Sequence, residues 1–196
     1  MDEEEKIPDQ GPEEEKINIK KEILQTLLYI VIVVLAVLFV VNFVAQRTRV
    51  SGPSMYPTLE DGDNLIVEKI TYRFRDPERF DVVIFPHEED GEEVYFIKRI
   101  IGLPGETIQI DAEGNIYIDG ELLEEEYGYE TISNAGIASD PITLGEDEYF
   151  VMGDNRNNSL DSRYEEVGNI LGEDIVGRAW VRIYPFDSAG LVKNIE

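Results

Sequence analysis

The stretch ILQTLLYIVIVVLAVLFVVNFVA, residues 23–45, contains no charged side chain. At about 1.5 Å of rise per residue, a helix of this length is roughly 34 Å long, and the hydrocarbon core of a bilayer is about 30 Å thick. Its polar residues, Gln25, Thr26 and Asn42, lie near the two ends, where a membrane tolerates polar groups. We therefore expect a single transmembrane helix over residues 23–45.

Two other interpretations of this apolar run are a buried core helix and a cleaved signal peptide. A soluble helix of six turns rarely lacks a polar face. The apolar region of a signal peptide is usually shorter and would not begin after a long charged segment. A retained membrane anchor explains the run better than either alternative.

The charges around the run predict its orientation. Three lysines lie just before it and two arginines lie just after it, and positive residues favour the cytoplasmic side of a membrane. The N-terminus is therefore expected in the cytoplasm and the C-terminal part outside it, on the basis of Lys16, Lys20, Lys21, Arg47 and Arg49.

Residues 1–22 form a polar segment with two acidic clusters and two prolines. A segment with so few apolar residues cannot bury enough surface to fold. We expect an acidic, disordered cytoplasmic tail.

The overall composition excludes several classes of protein. The chain has 196 residues and a net charge of -25, so nucleic acid is not an expected partner, because phosphate contacts need a cationic face. There is no cysteine, which excludes disulfides, thiol nucleophiles and cysteine-bound zinc. His87 is the one histidine, so a two-histidine metal site cannot form. We expect no metal and no cofactor.

Residues 46–196 show short β-rich runs between glycine, proline and aspartate turn signals, without a long helical pattern. Asp119-Gly120 and residues 113–115 mark tight turns. We predict a mainly β domain, with one short helix around residues 54–59 and an inserted hairpin-rich region at about 106–144. The predicted strands are residues 64–70, 81–85, 94–101, 107–110, 116–118, 148–152 and 175–184.

A nucleophilic enzyme with this composition needs a base other than histidine. His87 lies in FPHEEDGEE, which is typical of an exposed loop between two strands. Lysine is the usual substitute, because a lysine removed from water can be neutral near pH 7. Lys98, in VYFIKRII, is flanked by apolar residues on both faces of a predicted strand. A charge that protects an edge strand from aggregation explains the same pattern equally well.

The segment SGPSMYPTLEDGD, residues 51–63, places Ser54 between Pro53 and Pro57. Proline fixes φ and restricts the residue before it, so this turn is stiff and suited to hold a hydroxyl in one direction. A non-catalytic turn close to the membrane would also be stiffened by prolines, so the pattern alone does not identify a nucleophile. A Ser-x-x-Lys motif on one helical turn is absent, so a lysine base must come from elsewhere in the chain, and Lys98 is the best candidate.

The segment MGDNRNNSLDSR, residues 152–163, collects polar and charged side chains in one loop after a predicted strand. Such loops are often only turns whose side chains cap the backbone. Here Asp154 and Asp161 could clamp Arg99 or Arg163, and a hydroxyl could orient Lys98. The spacing does not match that of a calcium-binding loop.

Together these segments resemble the type I signal peptidases, specifically the Gram-positive type. Four blocks match in order after the apolar run, and the similarity extends over residues 23–186. The blocks are SGPSMYPTL (51–59), RFDVVIF (79–85), IKRIIGLPGE (97–106) and GDNRNNSLDSR (153–163).

The resemblance implies a membrane-anchored serine endopeptidase with a coiled multi-sheet β domain outside the cytoplasm. Its substrates would be preproteins that carry signal peptides, cleaved at the bilayer after small residues at -1 and -3. Ser54 corresponds to the nucleophile, Lys98 to the general base, and Ser159 to a hydroxyl that binds the lysine. Two further sets correspond to charged residues that brace the site (Asp154, Asp161, Arg99, Arg163) and to residues that line the substrate pockets (Val50, Met55, Ile84, Phe96, Ile97).

One departure concerns the oxyanion of the tetrahedral intermediate. Gram-negative members place a serine two residues before the nucleophile, and its hydroxyl helps to bind the oxyanion; here that position is Gly52. Pro53 has no N–H, so oxyanion binding must rely on the Ser54 N–H and on a donor that the sequence does not identify.

Two alternatives remain at this point. A self-cleaving Ser–Lys repressor would share the chemistry, but it would carry a DNA-binding domain in place of the apolar run. A non-catalytic, membrane-tethered acidic β domain that binds peptides or partners, or an inactive paralogue, would leave Lys98 and the loop at 153–163 without a role.

Overall fold

The computed structural model describes residues 19–40 and 44–192, in two units that divide at residues 39 and 40. Most of the predicted tail therefore lies outside the described residues, as does Lys16. Helix α1 spans Ile19–Phe39, with no buried residue, and it is long and apolar enough to cross a membrane. It begins four residues before the apolar run and so includes Lys20, Lys21 and Glu22, because lysine and glutamate are good helix formers.

The larger sheet of the second unit is antiparallel and has the order β1-β2-β11-β3-β4-β9-β10, with β12 paired to β11. In the described residues it contains eight strands. Their bounds are β1 Ala45–Arg49, β2 Asn64–Glu68, β3 Val82–Glu89, β4 Glu92–Gly102, β9 Glu148–Met152, β10 Ile170–Leu171, β11 Gly177–Tyr184 and β12 Gly190–Leu191.

A smaller sheet is built from the chain between β4 and β9. Its order is β7-β6-β5-β8 in the part of the chain that the structure describes. The strands are β5 Thr107–Ile110, β6 Ile116–Ile118, β7 Glu121–Leu122 and β8 Ile142–Thr143. Asp119 and Gly120 both have positive φ (51° and 83°), which is the geometry that the Asp-Gly turn between β6 and β7 requires.

The prediction of a mainly β fold after one N-terminal apolar helix is confirmed. Outside α1, the helical elements of the described residues are short 3-10 turns, at Thr71–Arg73, Gly136–Ser139 and Gly172–Asp174. The strands predicted at 107–110, 116–118 and 148–152 have the observed bounds. Several short strands were missed, among them β1, whose sequence AQRTR has no apolar alternation.

Two local predictions were wrong. His87 lies inside β3, because the backbone at the end of this strand keeps pairing with β4 as far as Glu89 opposite Glu92. Its ring packs 4.4 Å from that of Phe96. Residues 54–59 form turns instead of a helix; Leu59 N–H does bind Met55 O, but Pro57 has no N–H with which to continue a helical ladder.

Strand β4 is the centre of the second unit. Three of its own residues, Ile97, Ile100 and Ile101, each belong to a different buried hydrophobic cluster of the described residues. Because β3 and β9 flank β4 on its two sides, the interpretation of Lys98 as an edge-strand charge is wrong. Lys98 and Arg99 are buried cations in an interior strand.

Candidate active site

Ser54 lies in the loop that joins β1 to β2. The base of this loop is closed by two backbone hydrogen bonds, from Val50 N–H to Asp63 O (2.8 Å) and from Gly62 N–H to Val50 O (3.0 Å). Gly52 has φ +84°, a conformation that L side chains rarely adopt, so a serine at this position would be strained. Glycine therefore suits the backbone shape at this position.

Lys98 reaches Ser54 from strand β4. Its Nζ lies 2.9 Å from Ser54 Oγ, a hydrogen-bond distance between residues that are 44 positions apart in the chain. Only 4 % of Lys98 is exposed, and its Nζ lies 4.8 Å from the centre of the Phe96 ring. The structure therefore brings together the stiff serine turn and the buried lysine.

The amine of Lys98 is a weaker base than an ordinary lysine. Burial lowers its pKa from 10.5 to about 8 because removal from water disfavours the charged form. The carboxylates of Asp161 and Asp154 oppose this shift, and the guanidinium of Arg163 adds to it. About a tenth of the amine is consequently neutral at pH 7, and only this neutral form can accept a proton.

The loop at 153–163 is placed beside Ser54 and Lys98 by the register of the sheet. Met152, the last residue of β9, pairs with Arg99 on β4, so the following residues emerge next to Lys98. Gly153 permits this approach, because a Cβ there would collide with the Ser54 carbonyl oxygen and with Ser159 Oγ. Ser159 Oγ is itself buried and has no hydrogen-bond partner within the described residues.

Two buried ion pairs hold this loop, and the structure decides which partners they join. Arg99 donates to both carboxylate oxygens of Asp154, from Nε to Oδ1 (2.8 Å) and from Nη2 to Oδ2 (2.7 Å), and both side chains are fully buried. Arg163 forms an equivalent bidentate pair with Asp161, from Nε to Oδ1 (2.8 Å) and from Nη2 to Oδ2 (2.9 Å). Bidentate pairs fix orientation as well as distance, which makes the loop rigid.

The ion pairs also engage the backbone of the loop. Gly153 N–H donates to Asp161 Oδ2 at 3.0 Å, and Arg163 Nη2 donates to the carbonyl oxygen of Arg156. Thr58, on the serine loop, donates its hydroxyl to Asp154 Oδ2. The Asp154 carboxylate therefore ties β4 and the serine loop to the 153–163 loop.

A cavity of about 260 Å³ opens at Ser54 and Lys98. Four of the five predicted pocket residues line it, namely Val50, Met55, Phe96 and Ile97. Ile84 lines an adjoining cavity of about 520 Å³, to which Phe96 also contributes. Apolar side chains thus form part of the wall beside Ser54, together with polar and charged residues such as Arg49 and Glu89.

The sequence analysis did not identify three residues near Ser54 and Lys98. Leu160 lines the cavity, Thr58 donates to Asp154, and Asn155 binds the backbone on both sides of the Ser54 Cα. Leu160 is the one apolar residue between Asn155 and Arg163, a signal that could have identified it. Nothing in the local pattern distinguishes Asn155 from Asn157 and Asn158.

Within residues 19–40 and 44–192, no group of three or more His, Asp or Glu side chains is arranged to hold a metal ion. At the cavity the Ser54 hydroxyl meets the weakly basic amine of Lys98. A hydroxyl in contact with an amine that can accept its proton has the arrangement of an activated nucleophile.

Comparison with known proteins places the chain in one family. The family model described as "Signal peptidase, peptidase S26" matches residues 23–184. A probable signal peptidase I-2 of Synechocystis is 41 % identical over 157 residues, which cover 78 % of this chain and 69 % of the relative. Signal peptidase I S of Bacillus subtilis is 33 % identical over 184 residues, covering 88 % and 95 %.

Among solved structures, a signal peptidase I from Enterococcus faecalis V583 is 33 % identical and covers 53 % of this chain and 97 % of its own, with a TM-score of 0.41. The extent of the family match and the identity to full-length relatives show that the chain belongs to the peptidase S26 family of signal peptidases.

Proposed function

We propose that this signal peptidase cleaves preproteins with a Ser–Lys dyad, in which Ser54 is the nucleophile and Lys98 is the general base. The observation that carries the proposal is the 2.9 Å contact between Lys98 Nζ and Ser54 Oγ at a buried amine. His87, the other candidate base, lies near the far end of β3 and stacks on Phe96.

The proposed reaction has two halves. Neutral Lys98 accepts the Ser54 hydroxyl proton while Oγ attacks the carbonyl carbon of the residue at -1. The tetrahedral intermediate collapses to an acyl-enzyme, and Lys98 gives the proton to the leaving amine of the mature protein. Lys98 then takes a proton from water, whose oxygen attacks the ester carbonyl carbon. Lys98 returns that proton to Ser54 Oγ as the ester bond breaks, which releases the signal peptide with a new carboxyl group and restores the free enzyme.

Ser159 and the two ion pairs are assigned supporting roles. Ser159 Oγ is buried and is not hydrogen-bonded to Lys98 in this structure, and a buried hydroxyl without a partner is costly, so a hydrogen bond to the amine would satisfy it. We assign Ser159 Oγ as the group that orients Lys98. Asp154, Arg99, Asp161 and Arg163 hold the loop that carries it.

The cavity dimensions support a preference for small residues. A volume of about 260 Å³ beside Ser54, bounded in part by apolar side chains, suits alanine-sized side chains at -1 and -3 more than branched or aromatic ones. The pocket residues in this proposal are Val50, Met55, Ile84, Phe96 and Ile97.

The test is cleavage of a signal-peptide-bearing preprotein by the full chain, followed by N-terminal sequencing of the product. One bond should be cut, after alanine at -1. Leucine at -1 or at -3 should lower kcat/KM by about 100-fold or more, because the pocket cannot hold the added atoms. Leucine at -2 is the matched control and should be cleaved normally. Equal cleavage of all three substrates would contradict the pocket assignment.

We also propose that α1 crosses the membrane once, with the N-terminus in the cytoplasm and the β domain outside. The three lysines just before the apolar run and the two arginines just after it support this orientation. Protease added outside intact cells from which the wall has been removed should degrade residues 46–196 and leave an epitope at the N-terminus. Protection of the β domain would show the opposite orientation.

A further inference from the structure

Two main-chain donors next to the nucleophile, Ser54 N–H and Met55 N–H, make no hydrogen bond among the described residues. Pro53 has no N–H, and Gly52 N–H is already bound to Asp61 Oδ1 at 2.9 Å. Among the described residues, none accepts a hydrogen bond from Ser54 N–H. Because few donors lie beside Ser54, the direction of the Ser54 N–H matters for binding the oxyanion.

Asn155 binds both peptide groups that flank the Ser54 Cα. Its side-chain Nδ2 donates to Pro53 O at 3.1 Å, and its backbone N–H donates to Ser54 O at 3.0 Å. The opposite orientation of the amide would place two acceptor oxygens against each other, so the NH₂ group must face Pro53. No other residue of the 153–163 loop makes a hydrogen bond to both sides of Ser54 in the described structure.

These two bonds have a defined geometric consequence. A trans peptide is planar, so the Pro53 C=O and the Ser54 N–H point in opposite directions along one plane. Fixing the carbonyl therefore fixes the N–H. With Ser54 O fixed as well, both planes on either side of the Cα are set, and the direction of the Ser54 side chain is limited to its rotamers.

The Pro53 carbonyl carries a second bond, from Tyr56 N–H at 3.1 Å. Two donors on one carbonyl polarise the peptide and strengthen the donor at its other end, which is Ser54 N–H. Asn155 is held in turn by its neighbours, because Asp154 is clamped by Arg99 and because Asn158 N–H donates to Asn155 O at 2.9 Å.

We propose that Asn155 is a positioning residue for catalysis: its side chain sets the direction of the Ser54 N–H, so that this N–H binds the oxyanion of the tetrahedral intermediate. The inference rests on the proposed function, because it presumes that Ser54 attacks the substrate. Asn155 itself does not touch the reacting atoms.

The test uses the full chain in detergent with Asn155→Ala, which removes the side-chain donor and keeps the backbone N–H. The value of kcat should fall by about 10–100-fold while KM changes by less than about twofold, since the lost interaction acts in the transition state. The midpoint of the pH–rate profile should not move, because Lys98 is untouched. Asn155→Leu, which keeps a similar side-chain size without the donor and adds no charge, should give the same loss.

A peptide aldehyde ending at the -1 residue supplies a second readout. Its adduct with Ser54 places an oxygen at the oxyanion position, so Asn155→Ala should weaken its binding by the same factor as kcat/KM. Binding of uncleaved substrate, measured in Ser54→Ala with and without Asn155→Ala, should be equal. This comparison separates a lost transition-state contact from a distorted cleft.

Asn157→Ala is the matched control. Asn157 lies in the same loop and is exposed, and its hydrogen bonds go to Glu130, Thr131 and Ser133, away from Ser54. It should cleave at the wild-type rate. Unchanged kcat in both Asn155 variants, a change confined to KM, or a shifted pH midpoint would overturn the inference. Wild-type enzyme that forms no Ser54-dependent aldehyde adduct would instead overturn the proposed function.

Discussion

Replacing Lys98 by methionine, or Ser54 by alanine, should each lower the rate of preprotein cleavage by about 10³-fold or more. Methionine fills nearly the same volume as lysine but cannot accept a proton, and general-base assistance is worth about 10²–10⁴-fold in rate. Because base and nucleophile act as one unit, the double variant should be no worse than either single variant. Single-turnover cleavage of a labelled preprotein measures all three.

Loss of folding would not explain the Lys98→Met result. The folded-state pKa of Lys98, about 8, is below the ordinary value of 10.5, so the unfolded chain binds more protons between these two values. Stability therefore rises with pH across that window, and the cost of burying the charged amine is complete below about pH 8. At pH 7 Lys98→Met should unfold at the same or a higher denaturant concentration than the wild type. A variant that is inactive because it is unfolded would contradict this.

The same pKa sets the pH dependence of the intact dyad. Only the neutral amine accepts a proton, so kcat/KM should rise with pH and level off above about pH 8. At pH 6 it should be about 1 % of the plateau, since each unit below the pKa lowers the neutral fraction about tenfold. A flat profile between pH 6 and pH 9 would exclude Lys98 as the base.

Replacing Asp154 by alanine should cost about 3–5 kcal/mol of unfolding free energy, the typical loss when one partner of a buried ion pair is removed. Asp154 and Arg99 are both fully buried, and the substitution leaves the Arg99 guanidinium without its two carboxylate contacts. Thr58 loses its acceptor as well. Chemical denaturation of the full chain in detergent, followed by tryptophan fluorescence, measures the loss.

Two variants make this second prediction specific. Glu78→Ala is the matched control, because Glu78 pairs with Arg75 at 3.4 Å but its side chain is 69 % exposed, and exposed pairs contribute about 0–1 kcal/mol. Arg99→Met combined with Asp154→Leu should be more stable than Asp154→Ala, since apolar residues leave no unpaired buried charge. A loss in Asp154→Ala as small as that in Glu78→Ala would show that the pair does not hold the loop.

Local patterns were enough to predict most of the larger strands. The runs at 107–110 and 116–118 alternate buried and partly exposed residues. The Asp-Gly turn that follows them requires positive φ at both positions, a conformation that few other residue pairs adopt. Strand β1 was missed because its sequence, AQRTR, is polar and it forms through pairing with β2. The end of β3 was missed for the same reason, since its pairing with β4 overrides a polar sequence.

The features of the candidate site likewise separate into those that local sequence predicts and those that depend on tertiary contacts. The sequence by itself determined which groups are chemically unusual: an apolar run long enough for a bilayer, a serine held between prolines, and a lysine among apolar residues. These are properties of a residue and its immediate neighbours, so composition and period reveal them.

Only the tertiary structure decided which of these groups meet. The 2.9 Å contact of Lys98 with Ser54 joins strand β4 to a loop 44 residues earlier, and the pairing of Asp154 with Arg99 instead of Arg163 depends on the register of β9 against β4. Asn155 became distinguishable from its neighbouring asparagines through the direction of its side chain. Distances between residues far apart in the chain follow from sheet order and register, which are set by packing over the whole domain and cannot be deduced from any one segment.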